Sequence, residues 1–386
     1  MALKVAQRGL IPPFIAMEVM RAANERAAKG DDVLHLEVGQ PGTGAPRAVI
    51  EAAKAALQSH TLGYTEALGL PALRRRIARH YKQRYGVEVD PARVVVTTGS
   101  SGAFLLSFLS AFAAGDRVAL ADPSYPAYRN ILRALGVTPV TLSTGVETRF
   151  QPTVELLDRA DGPLDGLIVA SPSNPAGTML SESELRALAG YCAEQGIRLI
   201  SDEIYHGITY ERLAATVLAI TDDAIIVNSF SKYFSMTGWR LGWMVVPEDL
   251  ARAIECLAQN LFISPPTLSQ HAAIAVFDCR DELDANVARY GENRALLLGE
   301  LPACGFDRLA PADGAFYLYA DVAAGGARLS DDSEELCRRM LAETGVATTP
   351  GIDFDENRGH GYLRFSYAGS TEDIAEAARR LRSWRS

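Results

Sequence analysis

The chain of 386 residues is poor in lysine. Its 38 Lys and Arg divide into five lysines, at 4, 29, 54, 82 and 232, and 33 arginines. Nearly all the positive charge is thus carried by a side chain that cannot be deprotonated and cannot act as an amine nucleophile. After residue 82 a single lysine, Lys232, remains. Cysteine is also scarce. The five thiols, at 192, 256, 279, 304 and 337, lie far apart with no CxxC or Cys/His metal spacing. That excludes a metal module or disulfide scaffold and fits reduced thiols in a cytoplasmic protein. No apolar run approaches the roughly 18 residues of a membrane helix, and the N-terminus lacks a signal-peptide pattern. The short basic run Arg74-Arg75-Arg76 does not offset a net charge of −9, which speaks against nucleic acid as a partner.

What is present reads as a soluble globular enzyme: 48% hydrophobic and 22% charged residues. The length allows two subdomains. The pattern predicts an amphipathic helix over 14–29, a strand over 33–38, and a loop rich in Gly and Pro from Gly39. Helices are predicted over 47–58 and 70–85. From residue 93, apolar strands (93–97, 118–121, 138–142, 166–170, 197–201, 224–227) alternate with amphipathic helices (101–113, 126–135, 181–195). Continuous apolar strands between helices mean an α/β fold with a mostly parallel sheet covered on both faces. Residues 266–300 carry helical spacing throughout. Strands at 316–320 and 362–367, with helices at 331–344 and 371–384, predict a smaller α+β subdomain completed by the N-terminal segment.

In such sheets ligands bind beyond the carboxyl ends of the strands. The first strand ends in Thr98-Gly-Ser100-Ser101-Gly, small residues opening a helix whose free N–H groups suit a phosphate. The next ends in Asp122-Pro-Ser-Tyr125-Pro-Ala-Tyr128, an aromatic between prolines. Others end in Ser171-Pro-Ser-Asn174-Pro-Ala-Gly-Thr178 and Asp202-Glu-Ile-Tyr205-His206. A carboxylate at the end of a buried strand is costly unless it faces a cation. Last comes Ser229-Phe-Ser-Lys232, with Arg240 eight residues on. Together they offer a phosphate cradle, a stacking ring, an amide, a carboxylate, a phenol and an amine. A phosphorylated pyridine aldehyde uses all six: the lysine forms an imine, the carboxylate keeps the ring nitrogen protonated, and the amide and phenol bond the ring oxygen.

These motifs, in this order and covering essentially the whole chain, resemble the class I/II aminotransferases of fold type I, which depend on pyridoxal 5′-phosphate. The resemblance implies a seven-stranded large domain over residues 40–285 and a small domain from 1–39 with 286–386. It implies that Lys232 is the imine-forming lysine and then the proton-carrying base, that Asp202 pairs the pyridine nitrogen, and that Tyr125 stacks on the ring. Asn174 and Tyr205 would bond the phenolic oxygen. Ser100, Ser101, Ser229 and Arg240 would hold the phosphate, joined by Tyr64 from the second subunit of a homodimer. Arg364, with the Gly39 backbone nearby, would take the substrate carboxylate. Ala176 stands where the family usually has threonine.

The implied reaction moves an amino group between an amino acid and a 2-oxo acid. Carbon–sulfur lyases and synthases share the scaffold. No basic residue lies between 260 and 270, and Ser101 replaces a lysine of aspartate-specific relatives. With Phe14, Phe262 and Tyr64 expected nearby, the sequence predicts neutral aliphatic or aromatic donors over aspartate.

Overall fold

The computed structural model describes residues 3–323, 330 and 332–385. The chain opens with α1 (Ile15–Ala27), β1 (Leu34–His35), α2 (Arg47–Ser59) and α3 (Pro71–Tyr85). The alternating region runs through β2 (Val94–Thr97), α4 (Gly99–Ala111), β3 (Arg117–Asp122), α5 (Pro126–Leu135), β4 (Thr138–Ser143) and α6 (Val154–Asp158). It continues with β5 (Gly166–Ala170), α7 (Glu182–Gln195), β6 (Arg198–Asp202), β7 (Ile225–Ser229) and β8 (Gly242–Val245). Helices α8 (Glu248–Leu261), α9 (Thr267–Val276) and α10 (Arg280–Glu300) lead to β9 (Arg308–Leu309) and β10 (Tyr317–Asp321). The chain closes with α11 (Ser333–Thr344), β11 (Val346–Ala347), β12 (Thr349–Pro350), β13 (Tyr362–Ser366) and α12 (Thr371–Arg385).

Local chemistry sets many of these ends. In α7, Ser181 and Glu184 form a reciprocal capping box, satisfying two N–H groups that the helix cannot bond itself. Helices α3 and α5 each begin with proline in the first turn and stop at a left-handed glycine, Gly86 and Gly136. Every residue of β2, β7 and β8 is buried, which is why these strands read as apolar runs without alternation.

Seven strands form one sheet in the order β2-β8-β7-β6-β5-β3-β4. All run parallel except β8, which pairs antiparallel with both β2 and β7. That reversal places the start of β8 beside the carboxyl ends of its neighbours, so Arg240 arrives at the same edge as Lys232. Gly242 makes the approach possible: a Cβ there would lie 2.8 Å from the Gly99 carbonyl carbon and 2.9 Å from the Ser100 nitrogen.

A second sheet, β12-β13-β10-β9, is antiparallel, and β1 pairs with β11 in parallel. Ala23 of α1 packs with Leu341 and Ala347, so the N-terminal helix joins the C-terminal elements. The two halves meet where the Ser124 N–H donates to the Phe354 carbonyl at 3.0 Å and Arg358 bonds both the Asp122 carbonyl and the Asp355 carboxylate.

The structure departs from the sequence reading in several places. The strand predicted over 33–38 pairs only at Leu34–His35. The helical stretch 266–300 breaks between Val276 and Arg280, with Cys279 at the cap position of α10. Residues 248–261, to which the sequence reading gave no element, form α8. The expected domain boundary at 285 falls inside the continuous helix α10, whose backbone bonds bridge it.

Candidate active site

A cavity of about 500 Å³ opens at the carboxyl edge of the sheet. Ser100, Ser101, Tyr125, Asn174, Asp202, Tyr205, Lys232, Arg240, Gly39 and Arg364 all line it. Most arrive from the ends of the large sheet's strands or from the turns that follow them, Ser100 and Ser101 from the first turn of α4 and Arg364 from within β13.

Lys232 sits in the connection between β7 and β8, and its Nζ donates to the Gly39 carbonyl. Burial, then the positive charges of Arg364 and Arg240, lower its pKa from 10.5 to about 8, against the pull of Asp202. That displacement corresponds to a penalty on the order of 3 kcal/mol on the ammonium form. The amine is therefore poised for proton transfer near neutral pH. Asp202 ends β6 and is buried; burial pushes its pKa up to about 6, while the Tyr128 hydroxyl and the Ile204 N–H at 3.0 Å favour the carboxylate. A cationic ring N–H placed in the cavity would supply the partner that a buried carboxylate needs.

At the opposite end, α4 begins with no side-chain cap, leaving its first N–H groups and its dipole facing the cavity beside Ser100 and Ser101. The Arg240 guanidinium packs against Gly99, where a Cβ would meet Nη2 at 2.7 Å. Ser229 is placed differently from the sequence reading. Its buried Oγ donates to the Leu241 carbonyl at 3.1 Å and lies 2.8 Å from Ser231 Oγ. It braces the turn that carries the lysine, and Ser231 and Thr237 line the cavity instead.

Arg364, on β13, is 2% exposed. Its Nη1 donates to Asn174 Oδ1 at 2.9 Å and its Nη2 to the Glu37 carbonyl and to Thr349 Oγ1. The guanidinium lies 4.3 Å from the Tyr317 ring centroid and 4.7 Å from that of Phe354. Its Nε is buried without a partner, and among the described residues no carboxylate pairs with it within 4 Å. A buried guanidinium held by neutral groups is a receptor for an anion.

Tyr205 shares a 2.7 Å hydroxyl contact with Tyr317. Tyr317 fills the space beside Gly39, where a Cβ would sit 1.7 Å from its hydroxyl. Neither Tyr317 nor Tyr128 was assigned a role from sequence. Tyr128 carried a readable signal, lying three residues beyond Tyr125, the residue that precedes α5, in the same strand-end motif. Tyr317 carried none, since the pairing of β10 with β13 brings it there. Of the three rings expected around the substrate, Phe14 lines the cavity and meets Tyr125 edge to face at 5.7 Å. Phe262 packs instead with the core on the α4 and α8 side. Tyr64 is 83% exposed and does not line this cavity. Its loop is held by Thr267 Oγ1 on the Gly63 carbonyl at 2.7 Å and by Gln270 on Leu70 and Thr65.

Comparison with known proteins agrees with this geometry. The model of the aminotransferase class I and II family matches residues 31–381. A valine–pyruvate aminotransferase of Mycobacterium tuberculosis is 52% identical over 385 residues, covering 99% of this chain and 98% of that protein. A (5-formylfuran-3-yl)methyl phosphate transaminase of Methanocaldococcus jannaschii is 32% identical, covering 96% of each. The crystal structure of an aminotransferase from Mycobacterium tuberculosis superposes with a TM-score of 0.97 at 51% identity, covering 100% of this chain and 99% of that one. An aspartate aminotransferase of Thermus thermophilus with maleate gives 0.92 at 30% identity, covering 99% and 100%. The chain belongs to the class I and II aminotransferases, the pyridoxal-phosphate-dependent family of fold type I.

Proposed function

We propose that this aminotransferase binds pyridoxal 5′-phosphate and takes its amino group from neutral L-amino acids, as a cytoplasmic homodimer with shared sites. The observation that carries the donor class is the charge inventory of the cavity. Its cations among the described residues are Lys232, Arg240 and Arg364. Arg364 is matched to an α-carboxylate, Arg240 to a phosphate and Lys232 to an imine, so a second substrate carboxylate would find no counter-charge. The name of the 52% identical relative, a valine–pyruvate aminotransferase, agrees with a neutral donor.

The residues present fit the cofactor. The uncapped start of α4 with Ser100, Ser101 and Arg240 suits its phosphate, and buried Asp202 suits a ring N–H. Tyr125 presents a ring for stacking, and Asn174 and Tyr205 reach towards a phenolic oxygen. When bound, pyridoxal phosphate supplies an electrophilic carbon and a conjugated ring that accepts the electron pair released at the substrate Cα. The protein supplies the rest. Arg364 and Asn174 orient the α-carboxylate. Lys232 Nζ, with its lowered pKa, would take the proton from the substrate Cα. Phe14 and the apolar face of α1 keep water from the reacting atoms.

Tyr64 supports the dimer. This tyrosine, on a firmly held loop, is 83% exposed, and Ile50 and Leu57 of α2 and Leu261 and Ile263 at the α8–α9 turn are exposed as well. Large apolar side chains left exposed on helices and firm loops suit burial against a second copy. The division into domains at residues 1–39 with 286–386 and 40–285 belongs to the same proposal, with α10 as the bridge.

Lys232→Met should lose activity by at least roughly 10²–10⁴-fold, the usual worth of a positioned base. In cofactor-free protein the same variant should be more stable than wild type below pH 8, where folding buries the ammonium. That advantage should fade between pH 8 and 10.5, as the folded state sheds the proton before the unfolded one. Denaturant unfolding across this range checks it, and an advantage that grows with pH contradicts the assignment.

The ratio of kcat/KM for valine or leucine to that for aspartate should be roughly a hundredfold or more, the equivalent of about 3 kcal/mol for an unpaired buried carboxylate. A ratio below one overturns the donor class. For the dimer, Tyr64→Phe subunits should gain activity when mixed with inactive Lys232→Ala subunits, since a hybrid then holds one intact composite site. No gain, or a monomer in sedimentation at micromolar concentration, rejects it.

A further inference from the structure

We propose that Asp353 is the positioning residue that sets how large a substrate side chain the cavity accepts, by fixing helix α1 as its wall. The inference rests on the neutral-donor reading above and names the residues that would enforce it.

Helix α1 brings Phe14, Ala16, Met17 and Met20 to the cavity. Residues 16, 17 and 20 share one face of the helix, and the two thioethers make that face apolar and adaptable. The helix lacks a cap of its own: Phe14 occupies the cap position and makes no side-chain bond to the first turn. The cap comes instead from across the chain. The Ile15 N–H donates to Asp353 Oδ1 at 3.1 Å and the Ala16 N–H to Asp353 Oδ2 at 3.0 Å. Asp353 is 2% exposed, and its negative charge faces the positive end of the α1 dipole.

The segment around Asp353 is fixed from the other side too. Arg129 donates to the Asp353 carbonyl through Nη2. The neighbouring Phe354 packs 4.7 Å from the Arg364 guanidinium, and its carbonyl accepts from Ser124, the residue before Tyr125. Two adjacent residues therefore hold three parts of the site together: the wall at α1, the carboxylate fork at Arg364 and the ring at Tyr125. With the α-carboxylate on Arg364, the substrate side chain must fit between that fork and the α1 face. The gap is set by where Asp353 holds the helix.

The test compares two neutral donors that differ in size, alanine and leucine, in the holoenzyme. Asp353→Ala should lower the leucine-to-alanine ratio of kcat/KM by roughly tenfold, the size expected when a helix start loses its capping group. The loss should lie mainly in KM for leucine. Asp353→Asn, which keeps one acceptor, should fall between the two. A purely structural role would lower the thermal midpoint and both donors together, leaving the ratio in place, and that result overturns the proposal. So does an Asn variant no better than the Ala variant. Should Asp353→Ala not fold, Met20→Ala tests the wall directly: the ratio should move several-fold, and a fixed ratio overturns it. A wild-type enzyme that prefers aspartate contradicts the donor reading itself, a result separate from any change in the leucine-to-alanine ratio.

Discussion

The fold carries a guanidinium into its interior and, among the described residues, gives it no carboxylate within hydrogen-bond reach. The two terminal nitrogens of Arg364 bond neutral groups, Asn174, Thr349 and the Glu37 carbonyl, and two aromatic rings flank it. Burying an ion this way costs several kcal/mol unless a partner arrives. Much of the site follows from that constraint. The charge lowers the pKa of Lys232, Phe354 beneath it anchors the segment that caps α1, and Asn174 is fixed by the same contact. In the proposed function this guanidinium is the fork for the substrate α-carboxylate.

The second condition is convergence. Four parallel strand ends deliver a helix start, a ring, an amide and a carboxylate to one edge. The single antiparallel strand, β8, brings Arg240 back to it. Gly242 lets that strand press against the first turn of α4, so the arginine lies beside the start of that helix. The lysine sits in the turn between β7 and β8, where Ser229 spends its hydroxyl on the Leu241 carbonyl.

Much of this was legible in the sequence for a physical reason. Buried parallel strands read as apolar runs, and the polar residue that ends such a run must find a polar partner, in the protein or in a ligand. Lys232, Asp202, Asn174 and Tyr125 all stand at such ends. Residues that reach the site by other routes were harder to see. Tyr317 depends on the register of β10 against β13, and Asp353 caps a helix more than 330 residues away in the chain. Ser229 and Ser231 are chemically identical neighbours, and only the turn decides which faces the cavity. Phe262 looked like a pocket residue by its aromatic character, but α8 turns it towards the core.

The account requires that an amino acid complete half the reaction with no acceptor present. The direct measurement mixes the holoenzyme with L-valine alone and quantifies 2-oxo acid against active sites. It should give one equivalent per subunit and then stop, with the absorbance of the aldehyde form lost in step and restored by added pyruvate. Continuous release of oxo acid with ammonia, without loss of the aldehyde form, would contradict it.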